Sequence, residues 1–277
     1  MQIASHSGTK AILKKYDIHT RKSLGQNFLI DSHVLGKIIR TANINSEDSV
    51  LEIGPGIGGL TQALVESAGQ VLAIELDERL VNVLGEIFKD YSNIEIIHSD
   101  ILDYDIPKHI NKVVANLPYY VTTPVIMYLL EKFSFESITV MVQKEVAQRM
   151  VSNNEKKDKS YGALSLAVQY YANASIAAYV PPNSFMPRPQ VGSAVIHLDV
   201  LSKPPVTANK SSLFANIKAG FGQRRKTLVN SIYGAELYSL SKEELASVIK
   251  GCGFSENVRG EELNIKDWAV LTEALEK

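Results

Sequence analysis

A single cysteine, Cys252, in 277 residues leaves no possibility of an intramolecular disulfide or of an all-cysteine metal cluster. Low-complexity tracts and internal repeats of solenoid length are also missing, which excludes linker-like and repeat architectures. With 45% hydrophobic and 21% charged residues and a mean hydropathy of -0.02, the chain is not collagen-like, disordered or embedded in a membrane. The opening MQIASHSGTKAILKKYD lacks the apolar core of a signal peptide, so the cytoplasm is the expected compartment. An excess of charge of one sign is absent as well. The formal net charge of -1 argues against a uniformly basic nucleic-acid binder.

The distribution of that charge is uneven. Within residues 1–30, Lys10, Lys14, Lys15, Arg21 and Lys22 face only Asp17, and Lys218, Arg224, Arg225 and Lys226 have no acid among them. Between Glu47 and Asp105, by contrast, thirteen Asp and Glu stand against Arg79 and Lys89. A basic rim around an acidic body predicts a polyanionic partner; solvated surface faces are the plainer explanation.

Hydrophobic periodicity organises the chain. Asp31 or Ser32 caps a helix carrying Val34, Leu35, Ile38, Ile39 and Ala42, after which SVLEIG (49–54), QVLAIEL (70–76), IEIIH (94–98), VVANLPYY (113–120) and SITVMV (137–142) read as strands separated by helices. ASIAAYV (174–180) and GSAVIHLDV (192–200) close the series as a hairpin. Alternation of this kind predicts an α/β domain with a doubly wound, mainly parallel sheet. Beyond the linker SKPPV (202–206) only helical patterns remain. The expected organisation is a basic arm over 1–30, an α/β domain over 31–202 and a small all-α domain over 203–277.

LEIGPGIGG (51–59) leaves a strand and opens a helix, with Gly54, Gly56 and Gly59 in G-x-G-x-x-G spacing. Such a loop lets a ligand approach the backbone closely at a helix N-terminus, and a dinucleotide or another nucleoside cofactor would fit it. Glu75, at the end of the next strand, is placed to accept ribose hydroxyls. Glu52 separates the candidates: a carboxylate immediately before the loop repels a pyrophosphate and suits a cation, which S-adenosylmethionine is. Asp100, in HSDIL, is placed to accept an adenine amine, with Ile101 supplying a backbone N–H and an apolar face; capping its own turn is the alternative.

Asn116-Leu117-Pro118-Tyr119 carries the most specific chemistry. The lone pair of an aromatic amine is delocalised into its ring, and hydrogen bonds from the amine to the Asn116 oxygen and the Leu117 carbonyl favour a pyramidal, nucleophilic nitrogen. Pro118 stiffens the loop and Tyr119 offers a stacking face.

Eight elements in this order, KSLGQNFL (22–29), EIGPGIGGLT (52–61), Glu75, Asp100, NLPYY (116–120), FMPRPQVGSAV (185–195), FGQRRKTLVNS (221–231) and RGEELNIKDWAVL (259–271), resemble the ribosomal RNA adenine dimethyltransferases and, within them, the bacterial small-subunit branch. The resemblance spans the chain. It implies a seven-stranded, Rossmann-like methyltransferase fold and S-adenosylmethionine as cofactor, bound by Asn27, Leu29, Gly54, Glu75, Asp100, Ile101 and Asn116. It also implies that Asn116, Leu117, Tyr119 and Phe185 frame the target adenine. The expected activity is dimethylation of the exocyclic amines of two adjacent adenosines near the 3′ end of 16S ribosomal RNA within an immature small subunit. The chain is expected to act as a monomer, with no metal, membrane or covalent enzyme intermediate.

Lys14, Lys15, Arg21, Lys22, Arg224, Arg225 and Lys226 are the candidate phosphate contacts. Tyr120 stands where many members of the branch have Asn, which bears on RNA fit rather than on the chemistry. The competing readings are a large-subunit (23S) adenine methyltransferase conferring antibiotic resistance, a mainly non-catalytic assembly factor, and an NAD-dependent oxidoreductase, which Glu52 and NLPY disfavour.

Overall fold

The computed structural model describes residues 2–21, 25–154 and 158–277. They contain the strands β1 (Phe28–Leu29), β2 (Ser49–Ile53), β3 (Gln70–Glu75), β4 (Ile94–His98), β5 (Lys112–Asn116), β6 (Ser137–Gln143), β7 (Ala172–Val180), β8 (Phe185–Met186) and β9 (Ser193–Val200). Seven of these form one sheet in the order β4-β3-β2-β5-β6-β9-β7. Strands β2 to β6 run parallel, and β9 is antiparallel to β6. The central strands read as continuous apolar runs because helices cover both of their faces: Val50, Leu51, Val113, Val114 and Ile138 are fully buried.

The connecting helices are α1 (His6–Lys15), α2 (Ser32–Ala42), α3 (Gly59–Val65), α4 (Glu78–Ile87), α5 (Thr122–Lys132) and α6 (Lys144–Val151). Asp31 caps α2 by accepting from the His33 and Val34 amides. At the amino ends of β2 and β5 a buried ion pair, Lys112 Nζ to Asp48 Oδ2 at 2.9 Å, is completed by Asn111 Nδ2 donating to Asp48 Oδ1 at 2.9 Å. Every oxygen of that carboxylate is engaged, the condition under which a buried pair is tolerated.

Two expectations about organisation change. The segment read as a basic arm contains a docked helix. Ile3, Ala4 and Ile12 are buried, and the Ile3 amide donates to Gln62 Oε1 on α3 at 2.9 Å. Lys14 and Lys15 occupy the exposed last turn of α1, where cations suit the helix dipole.

The chain also divides differently, into one compact unit of Met1–Ala147 with Asn173–Val200 and a second of Gln148–Ala172 with Leu201–Lys277. Residues 148–172 therefore fall with the helical unit rather than with the sheet. Tyr161, Leu166 and Tyr170 are buried in the same core as Leu213, Ile217, Leu245 and Trp268. In sequence the helix α7 (Ala163–Tyr171) looks like one more crossover between strands; which core buries it is a matter of contact, not of period. The rest of the second unit is α8 (Lys210–Gly222), α9 (Leu228–Tyr233), α10 (Lys242–Gly251) and α11 (Ile265–Leu275), as the helical periodicity predicts. Among the described residues no helix is long and apolar enough to cross a membrane, and no group of His, Cys, Asp or Glu could hold a metal ion.

Candidate active site

From β2 the chain proceeds outward through β3 to β4 and then returns to β5 on the other side of β2. Loops leaving the carboxyl ends of β2 and β5 diverge there, and an α/β sheet opens its ligand crevice at such a reversal. A cavity of about 240 Å³ lies at that point. Asn27, Leu29, Gly54, Glu75, Asp100, Ile101, Asn116, Leu117, Tyr119 and Phe185 all line it.

The glycine loop makes one wall. Gly54 has φ +66°, a left-handed turn that redirects the chain straight off β2. Gly58, with φ +88°, is the position where a side chain meets the hardest obstacle, since an added Cβ would lie 2.6 Å from the Phe88 ring. Gly59, the third glycine of the fingerprint spacing, already belongs to α3, and its Cβ would make only an ordinary 3.5 Å contact with Ala4. The fingerprint thus marks the loop correctly and places its third essential glycine one residue late.

Glu75, at the end of β3, is buried and held by backbone: Oε2 accepts from the Gly56 amide and Oε1 from the Asp77 amide, both at 3.0 Å. Burial pushes its carboxyl upward, against the pull of those amides. Glu52 is more extreme. It is fully buried, its Oε2 has no hydrogen-bond partner among the described residues, and desolvation, with the Glu75 charge and against the pull of the nearby Thr61 hydroxyl, raises its pKa to about 8. Read from the sequence alone, Glu52 is a standing negative charge. In the ligand-free protein near neutral pH it is instead mostly protonated, because a carboxylate without water or a cation is too costly at that depth.

Asp100 is exposed, and its Oδ1 accepts from the Leu102 amide at 2.9 Å, so it caps a turn while also lining the cavity. Asn116 sits at the end of β5 with Nδ2 donating to the Asn27 carbonyl at 3.1 Å. The Leu117 amide is anchored to the Met141 carbonyl at 3.2 Å, and Tyr119 and Ser193 share a 2.7 Å hydrogen bond. Phe185 arrives through a feature invisible in the sequence. β1 and β8 pair antiparallel, Leu29 opposite Phe185, and Ser184 Oγ donates to the capping Asp31 at 2.8 Å. The first motif and the proline-rich loop are thereby one structural piece, and both reach the cavity.

A model of the ribosomal RNA adenine dimethylase family matches residues 18–277. The chain belongs to the ribosomal RNA adenine dimethylase family. It is 49% identical to a ribosomal RNA small subunit methyltransferase A of Lachnoclostridium phytofermentans, over 97% of this chain and 96% of the relative. A crystal structure of a dimethyladenosine transferase from Plasmodium falciparum superposes with a TM-score of 0.76 at 27% identity, covering 88% of this chain and 95% of that one. The 23S ribosomal RNA methyltransferase ErmE matches with a TM-score of 0.71 at 24% identity, over 91% of this chain and all of that one, a likeness of fold alone.

The basic residues of this dimethylase are not equivalent. Arg224 donates to the carbonyls of Lys159 and Tyr161 at 3.1 and 2.8 Å and pairs with Glu261 at 3.2 Å, so it braces the helical unit. Arg225 and Lys226 are exposed in the turn between α8 and α9. Arg21 lies 3.9 Å from Asp77, and Lys15 Nζ donates to the Tyr16 hydroxyl at 2.9 Å; Lys22 lies outside the described residues. Tyr120 lines the same cavity as Asn116, its ring lies against Gly25, and burial together with the Asp100 and Glu75 charges raises its pKa.

Proposed function

We propose that this dimethylase transfers methyl groups from S-adenosylmethionine to the exocyclic amines of two adjacent adenosines near the 3′ end of small-subunit ribosomal RNA, acting as a cytoplasmic monomer on immature subunits. The observation that carries the reading is the fixed Asn116 amide: with Nδ2 committed to the Asn27 carbonyl, Oδ1 is the atom left to accept from a substrate amine.

The cavity fits the cofactor on its own evidence. Glu52 offers a buried oxygen without a partner, which a cationic group would satisfy, and Glu75 has acceptor capacity left beyond the backbone amides of Gly56, Leu76 and Asp77. Glu75 would hold the ribose, Asp100 and Ile101 the adenine, and Gly54 the close approach of the backbone. When bound, S-adenosylmethionine supplies an electrophilic methyl on a sulfonium. Asn116 Oδ1 and the Leu117 carbonyl accept the amine hydrogens and so localise the nitrogen lone pair toward that methyl. Tyr119 and Phe185 hold the target ring, and positioning together with these two acceptors accounts for the catalysis asked of the protein.

The small-subunit substrate is favoured over the large-subunit one because relatives with nearly half their residues identical carry the small-subunit name, whereas the likeness to ErmE speaks only of fold. The test is methylation of small subunits from a strain lacking the modification, with large subunits alongside and the modified adenosines mapped by mass. Two adjacent dimethyladenosines in the small-subunit RNA are expected. Label confined to the large subunit would overturn the assignment.

A further inference from the structure

Charge is distributed unequally around the target residue. Asn116 ends β5, in the middle of the sheet; on one side β3 ends in the buried Glu75, Asp77 beyond it is paired with Arg79 and Arg21, and the loop after β4 carries the exposed Asp100. On the other side, the ends of β6, β9 and β7 carry Lys144, with the exposed Glu145 next to it, and, in the loop between β8 and β9, the exposed Arg188. A polyanionic strand that delivers a base to Asn116 meets the Asp100 carboxylate on the first side and finds Lys144 and Arg188 as cations on the second.

An aromatic platform stands on that second side. Tyr179, near the end of the sheet's edge strand, is 57% exposed, and Lys144 Nζ lies 5.3 Å above its ring centroid. The platform is connected to the target site through short links. The Lys144 amide donates to the Gly192 carbonyl at 3.0 Å, and Gly192 lies against the Val180 carbonyl. The neighbouring Ser193 shares its hydroxyl with Tyr119. Tyr119 and Tyr179 are thus held by one stretch of backbone.

An exposed ring with a cation over one face is the arrangement with which single-stranded nucleic acid is gripped without readout of sequence: a base stacks on the ring and a phosphate takes the cation. We propose that Tyr179 and Lys144 form a clamp for a nucleotide flanking the target adenosine, Tyr179 stacking its base and Lys144 contacting its phosphate, with the RNA strand entering over β6, β9 and β7. The clamp rests on the RNA-methylating reading above. It positions substrate and does not touch the reacting atoms.

The experiment compares Tyr179→Ala, Tyr179→Phe and Lys144→Gln with wild type on undermethylated small subunits, measuring KM, kcat and the salt dependence of RNA affinity, with S-adenosylmethionine affinity measured in parallel. Tyr179→Ala is expected to raise KM about ten-fold or more while kcat and cofactor affinity hold, and Tyr179→Phe to restore KM because stacking needs the ring and not the hydroxyl. Lys144→Gln is expected to lower the salt slope by about one. If wild type methylates the subunits and Tyr179→Ala matches it in KM, the clamp is overturned, and the pair merely protects a sheet edge. If wild type methylates no ribosomal RNA, the functional reading falls and takes the clamp with it. Loss of cofactor affinity in Tyr179→Ala alongside normal Tyr179→Phe and Lys144→Gln behaviour would also count against it, since the ring would then be serving the fold.

Discussion

Glu52 shows how a single side chain links stability, pH and ligand choice. Folded, its carboxyl has a pKa of about 8; unfolded, it returns to the ordinary value near 4.5. Between those values the folded state holds a proton that the unfolded state has lost, so stability falls as pH rises from about 4.5 to 8 and levels off beyond. Glu52→Gln should flatten that slope and raise the melting temperature of the ligand-free protein at pH 8 by several degrees. A cation in the cavity favours the ionised form, so S-adenosylmethionine should bind wild type more tightly as pH climbs through 7 to 8, a dependence lost in the variant. Calorimetric titration at three pH values decides it: equal pH dependence in both proteins would place the cation away from Glu52. The identity of this residue was legible in the sequence. Its protonation was not, because depth beneath the loop is set by long-range packing.

At the scale of elements, the long strands of the sheet declare themselves as short apolar stretches such as VLAI (71–74), VVA (113–115) and VMV (140–142), and their order with the intervening helices suffices to place the glycine loop beside Asn116. Two-residue strands carry no period. The pairing of β1 with β8, which delivers Phe185, was therefore beyond periodicity, and Phe185 was found only through the family resemblance. The docked helix α1 escaped for a related reason: its buried face is small, with Gly8, Thr9 and Ile12 its buried residues. The glycine loop yields an element-scale prediction. Gly58→Ala forces a Cβ into Phe88 at a left-handed backbone position and should destabilise the first unit by about 2–5 kcal/mol. Gly59→Ala, in the first turn of α3, should be neutral or stabilise by up to about 1 kcal/mol. Urea denaturation of the two variants would show this difference, and equal losses would restore the fingerprint assignment.

Across the whole molecule, a near-zero net charge conceals an acidic stretch from Glu47 to Asp105 and dispersed cations with separate duties. Arg224→Ala should lower the melting temperature of the protein by breaking two carbonyl contacts and an ion pair, with a half-exposed guanidinium contributing no more than about 1–2 kcal/mol. Arg225→Ala with Lys226→Ala should leave melting unchanged while reducing RNA affinity and lowering its salt slope by about two. Unchanged affinity and slope in that double variant would make the turn between α8 and α9 an ordinary solvated surface.

The site draws on segments far apart in the chain, and they converge on Asn116: the Asn27 carbonyl from the first motif holds its amide, and the Tyr119–Ser193 contact ties the adjoining loop to β9. The measurement that tests the account most directly is single-turnover methylation of undermethylated small subunits by Asn116→Ala, with monomethyl- and dimethyladenosine separated by mass and the cofactor dissociation constant determined in parallel. In the proposed mechanism the Asn116 oxygen acts more strongly as the amine pyramidalises, so the rate should fall by roughly 10²–10³, far more than cofactor affinity. The first methylation should suffer more than the second, since a monomethylated amine has one N–H, which the Leu117 carbonyl alone can accept. A near-normal single-turnover rate, with the usual ratio of the two products, would contradict the role of Asn116 and with it the assignment of NLPY as the amine-methylating loop of this chain.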